Sequence, residues 1–127
     1  MENVKALTQR KHMADFQRWQ DLLTAMGYTN HWQVLNAKHY GVPQNRERVF
    51  MVSILQCYDH NEFKFPSPFP LERRLKDVLE KEVKEKYYLR TKQIKATIEH
   101  CRRKIAEGCG FKTNFQTPSG ISGAIKT

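Results

Sequence analysis

Leu35-Asn36-Ala37-Lys38-His39-Tyr40-Gly41-Val42-Pro43-Gln44-Asn45-Arg46-Glu47-Arg48-Val49-Phe50-Met51-Val52 runs from a turn into an apolar strand and sets two arginines at the junction. Val42 precedes a proline, which pushes it to extended geometry, and Gly41 allows a sharp change of direction just before it. From Val49 to Ile54 only Ser53 is polar, the pattern of a strand covered on both faces. Gln44, Arg46 and Arg48 are two residues apart, so in extended chain they share one side. A forked guanidinium suits phosphates and base edges, and a glutamine amide both donates and accepts. The stretch therefore reads as a binding edge on a rigid support.

Working outward, Phe16, Trp19, Leu22, Leu23 and Met26 recur at helical spacing, which predicts a helix from a Thr8 cap to about Met26, ended by Gly27. This apolar stripe is read as core, the face by which a helix docks on a sheet. A strand from about His31 to Asn36 follows, and the arginine-bearing strand runs from Arg46 to Leu55. Pro66, Pro68 and Pro70 then mark a connector, so the chain divides into residues 1–65 and 66–127. Beyond it, a short helix is expected over Leu71 to Leu79. A longer one starts at the cap Thr91, aligns Ile94, Ile98, Cys101 and Ile105 on one face, and stops at Gly108. The glycine-bearing tail after Gly108 has no sustained period and reads as loop.

The 127 residues suffice for one modest domain. Lys and Arg total 22 against 13 Asp and Glu, a net charge of +9 that suits a polyanionic partner. Twelve of these cations and five carboxylates fall between Arg73 and Lys104, leaving +7 there. Both a solvated helix surface and a DNA-facing patch centred on Arg102, Arg103 and Lys104 fit that excess. No apolar run approaches a membrane span and no signal-peptide pattern opens the chain, so a cytoplasmic protein is expected. The three cysteines, irregularly spaced, form neither a disulfide framework nor a zinc pattern.

The order Tyr-Gly-Val-Pro-Gln-x-Arg-x-Arg before an apolar strand resembles a segment near the middle of DNA cytosine-5 methyltransferases. Glu2-Asn3-Val4 resembles the Glu-Asn-Val motif that this family carries a few dozen residues earlier, and the two blocks stand in the right order. The resemblance covers roughly the first half of the chain. It implies an α/β fold, the second half of a Rossmann-like catalytic domain (helix, strand, strand), followed by a mostly helical entry into the target-recognition region. The family also needs a glycine-rich loop for S-adenosylmethionine and a Pro-Cys nucleophile. Neither has a counterpart here, for Cys57, Cys101 and Cys109 follow Gln56, His100 and Gly108. A middle fragment is therefore expected, one that does not bind S-adenosylmethionine tightly alone, pairs with the missing amino-terminal half and with duplex DNA, and self-associates through uncovered strand edges. A non-catalytic DNA-binding or regulatory piece, a subunit of a split enzyme and an RNA-modifying relative stay open as alternatives.

In the family's chemistry a cysteine thiolate adds to carbon 6 of cytosine while an acid protonates ring nitrogen 3. The resemblance gives the acid's role to Glu2, an orienting role to Asn3, the hold on the cytosine carbonyl oxygen to Arg48, and bracing or phosphate contact to Arg46. Gln44 would fix the turn. Without the resemblance, Glu2 would read as a frayed terminal carboxylate, and Arg46 and Arg48 as surface partners of Glu47 or Glu62. His39 and Tyr40 read as packing residues.

Overall fold

The computed structural model describes residues 1–60, 62–109 and 115–123. Strands β1 (Glu2–Val4), β2 (Tyr28–Asn36) and β3 (Glu47–Leu55) form one sheet in the order β1-β3-β2, with helix α1 (Arg10–Ala25) between β1 and β2 in sequence. β3 runs antiparallel to both neighbours, so β1 and β2 point the same way. The arginine-bearing strand is thus paired on both sides, Val4 and Leu35 each facing Arg48. This corrects the expectation of an uncovered edge on the arginine-bearing strand: only the outer edges of β1 and β2 are unpaired among the described residues.

β2 begins at Tyr28, earlier than its apolar pattern suggests, because Gly27 adopts φ +87° and turns the chain straight from helix into strand. Val34 and Trp32 then share a face with Val49, Met51 and Asn3. α1 covers that face. Phe16 (1% exposed) seals against Val49 (0%) and Met51, with Leu7, Met13, Leu23 and Val34 around them. Its ring meets Trp32 edge-on at 5.3 Å.

Two details of α1 differ from the sequence reading. The docked stripe is Met13, Phe16, Gln20 and Leu23, whereas Trp19, Leu22 and Met26 point outward. Both stripes have helical spacing, and the polar Gln20 in the buried one hides it from a hydrophobicity pattern. Gln20 is accommodated because its Nε2 donates to the Phe16 carbonyl (3.4 Å), while its own carbonyl accepts from Asn30 Nδ2 (3.1 Å) and Asn30 Oδ1 accepts from Ser53 Oγ (2.6 Å). Thr8 is not the cap: its hydroxyl donates to the Lys5 carbonyl inside a 3₁₀ turn, Lys5–Thr8, and Gln9 occupies the cap position.

Beyond β3, helix α2 (Thr91–Ala106) forms close to its expected limits, with Cys101 buried and Arg90 rather than Thr91 at the cap. The helix expected over Leu71 to Leu79 narrows to one 3₁₀ turn, Leu75–Asp77. Its Leu75 and Lys76 amides are drawn off to the carbonyls of Gly120 and Pro118. Part of the tail is therefore anchored, and Ser122 continues the contact by bridging Gln44 in parallel. The remainder of the tail, 110–114 and 124–127, lies outside the described residues. No helix among the described residues is long and apolar enough to cross a membrane.

Candidate functional site

The face of the sheet opposite α1 carries Glu2, Arg48, Phe50 and Leu35, because paired residues on neighbouring strands point to the same side. There Arg48 Nε donates to Glu2 Oε1 at 2.9 Å. Glu2 is no frayed end: the chain's amino group donates to Met51 O at 2.7 Å, and Met51 N donates to Met1 O at 2.9 Å. Arg48 Nη1 donates to the Glu47 carbonyl at 2.8 Å, which fixes the guanidinium plane. The pair stands in a cleft of about 310 Å³ completed by Leu35, Ala37, Tyr40, Arg46, Phe50 and Pro66. A carboxylate and a guanidinium at one side of an otherwise apolar slot suit a flat, polar-edged ring.

Arg46 reaches this cleft from a held turn rather than from the strand. Asn36, buried, accepts from the Arg46 amide (3.2 Å) and the Lys38 amide (3.3 Å) through Oδ1, and its Nδ2 donates to Asn45 Oδ1 (2.8 Å). Ala37 N also donates to the Arg46 carbonyl. Gly41 (φ +80°) reverses the chain with its α-carbon against Phe69, where an added Cβ would lie 3.3 Å from the ring. Tyr40 packs edge-on against Phe69 and donates its hydroxyl to the Pro66 carbonyl at 3.1 Å, closing the cleft wall.

The structure thus brings Glu2, Arg46 and Arg48 together and leaves Asn3 out. Asn3 lies one residue along β1, on the α1 side, and its Oδ1 accepts from the Val4 amide at 2.8 Å. Strand alternation forbids it to share the cleft. Gln44 also falls outside, because regular strand begins only at Glu47; it serves the turn. Glu47 pairs with Lys5 at 2.8 Å, not with either arginine. Arg102, Arg103 and Lys104 sit on α2 and each has a carboxylate within 4.0 Å: Glu99 for Arg102, and Glu107 for the other two.

Tyr40, Phe50, Leu35 and Pro66 were not singled out as cleft residues. Phe50 was legible as the next same-side position after Arg48, but Pro66 comes from a connector whose path no periodicity encodes. A second unforeseen feature is His31 Nε2, 3.0 Å from Asp59 Oδ2, with Phe63 packed at 5.2 Å on the His31 ring. The Asp59 side chain is 2% exposed, so this contact fastens the start of the connector to the sheet. Cys57 and Cys109 are exposed and Cys101 is buried, and no group of His, Cys, Asp or Glu among the described residues could hold a metal ion.

Residues 1–123 match the family model for the C-5 cytosine-specific DNA methylases. The chain is 45% identical over 94 residues to the type II methyltransferase M2.ScrFI of Lactococcus lactis subsp. cremoris, covering 74% of this chain and 26% of that protein. To M.SsoII of Shigella sonnei it is 36% identical over 116 residues, 87% of this chain and 30% of the relative. M.HhaI of Haemophilus parahaemolyticus shares 35% over 79 residues, 62% and 24% of the two chains. Among solved structures, the Dnmt2 methyltransferase of S. pombe superposes with a TM-score of 0.60 over 95% of this chain and 36% of its own, at 18% identity, a likeness of fold. The chain spans about a quarter to a third of the length of these relatives.

Proposed function

The chain belongs to the C-5 cytosine-specific DNA methylase family, and from that premise we propose that it supplies the base-binding part of an enzyme that methylates carbon 5 of cytosine in duplex DNA. The observation that carries the reading is the Glu2–Arg48 contact of 2.9 Å in the cleft walled by Phe50, Leu35 and Pro66. Glu2 Oε1 is taken by Arg48, which leaves Oε2 to meet ring nitrogen 3 of an extruded cytosine; in the protonated acid, Oε2–H donates there and gives up its proton as carbon 6 is attacked, leaving the carboxylate paired with Arg48. Arg48 holds the neighbouring carbonyl oxygen, where negative charge develops as carbon 6 is attacked. Arg46 braces the rim. Extruding a base costs a few kcal/mol, which such contacts offset.

S-adenosylmethionine would supply the methyl group. No described cleft combines a glycine-rich loop with groups for it, so this chain alone is proposed neither to hold the cofactor tightly nor to transfer methyl. Completion requires the upstream half of the domain, and the free outer edge of β1 supports its docking there. The same bare edges on β1 and β2 support self-association when that half is missing. The proposed division at 65/66 and a cytoplasmic setting go with this reading. Arg102, Arg103 and Lys104 are proposed as a DNA contact, attenuated by Glu99 and Glu107.

The test is reconstitution with an upstream half carrying the glycine-rich loop and the Pro-Cys motif. Methyl transfer to duplex DNA should appear, and Glu2→Gln should abolish it while leaving DNA binding intact. Transfer to RNA alone, or undiminished transfer by Glu2→Gln, would sink the reading.

A further inference from the structure

The strongest unassigned feature is a basic and aromatic cleft ahead of α2. Its volume is about 810 Å³, and Glu85, Lys86, Tyr87, Tyr88, Leu89, Arg90, Lys92 and Gln93 line it. Between Lys84 and Lys95 the sequence has five cations and the single carboxylate Glu85, and three of the cations, Lys86, Arg90 and Lys92, line the cleft. None of the five has an ion-pair partner among the described residues, whereas Arg102, Arg103 and Lys104 each have one. Cations without ion-pair partners have no carboxylate to displace before meeting an incoming anion. The aromatic side chains add a second indication. Tyr87 and Tyr88 are 69% and 62% exposed, unusual for rings of that size, and no hydrogen bond among the described residues engages either hydroxyl. Lys86 Nζ lies 4.8 Å from the centre of the Tyr87 ring, which holds the ammonium at the cleft. Gln93 Oε1 accepts from the Arg90 amide at 2.8 Å and so fixes the backbone at the helix start.

We infer that this cleft is a contact for the phosphate backbone of duplex DNA, separate from the Glu2–Arg48 cleft and independent of base sequence. Lys86, Arg90 and Lys92 neutralise phosphates, and the two tyrosine hydroxyls donate to phosphate oxygens. Glu85 opposes binding and sets its strength. The inference rests on the proposed action on DNA.

The test measures anisotropy of a labelled duplex with the chain across a salt series. Each neutralised phosphate contributes about 0.9 to the log–log salt slope. Lys86→Gln/Arg90→Gln/Lys92→Gln should therefore lower the slope by about two to three, and weaken binding at least tenfold at low salt. Arg102→Gln/Arg103→Gln/Lys104→Gln should lower it by about one or less. Arg10→Gln/Lys11→Gln/Arg18→Gln on α1, the same change in charge, should do no more. An unchanged slope in the first variant, or an equal loss in the α1 variant, overturns the inference. Should the first variant lose its helical circular dichroism, Tyr87→Phe/Tyr88→Phe decides: about threefold to tenfold weaker binding is expected, and unchanged affinity overturns. A wild-type chain that binds no duplex overturns this inference together with the DNA reading, whereas binding with an unaltered slope overturns this inference alone.

Discussion

At the scale of single residues, the function proposed for the Glu2–Arg48 contact would be separable from stability. Both side chains reach solvent, Glu2 being about half exposed, so an ion pair there is worth about 0 to 1 kcal/mol. Yet donors aimed at developing charge contribute factors of about 10² to 10³ in rate. Arg48→Ala in the reconstituted enzyme should therefore lose about that factor in kcat with an unchanged denaturation midpoint. Arg48→Lys should not rescue it, because an ammonium's donors radiate from one nitrogen and lack the planar fork whose Nε and Nη1 reach Glu2 and the Glu47 carbonyl separately. Parallel losses of activity and stability would make the pair structural. Asn36 gives the opposite pattern. Its buried amide satisfies the Arg46 and Lys38 amides and Asn45, so Asn36→Ala should destabilise by about 1 to 3 kcal/mol in urea titration. A null effect would release Arg46 from dependence on that turn.

At the scale of elements, α1 offers two apolar stripes and the sheet accepts one. Phe16→Ala should cost about 3 to 5 kcal/mol, since it empties the centre of the Phe16, Val49, Met51 core. Leu22→Ala, on the outward stripe, should fall within about 0.5 kcal/mol. Equal costs would mean that the helix docks by its other face. Sequence showed α1, β3 and α2 because each has a sustained period, and it showed the arginines as a same-side pair. It did not show β1: three residues have no measurable period, and Glu2–Val4 becomes a strand only because β3 offers an open edge. Nor did it show that Asn3 lies on the face opposite Glu2, since a motif of adjacent residues does not display that a strand sends neighbours to opposite faces. The cleft wall was illegible too, because Tyr40 and Pro66 meet through a connector path fixed by tertiary contacts.

At the scale of the whole molecule, the unpaired edges of β1 and β2 offer backbone donors and acceptors to another chain. Sedimentation of the chain alone should show dimers or larger species. A compact monomer at high concentration would mean those edges stay solvated without pairing. The position of β1 has a temporal consequence as well. Met1 bonds to Met51, 50 residues on, so the Glu2–Arg48 site exists only while β1 is paired with β3. A strand of three exposed residues at the sheet's edge is the first part of the sheet to let go. Catalytic competence would then flicker with the fraying of one short edge while the core stays shut. Hydrogen exchange should show it: the Met51 amide, bonded to Met1, should exchange faster than the amides shared by β2 and β3. The core can thus stay folded while the Glu2–Arg48 contact opens, because that contact rests on the shortest strand of the sheet.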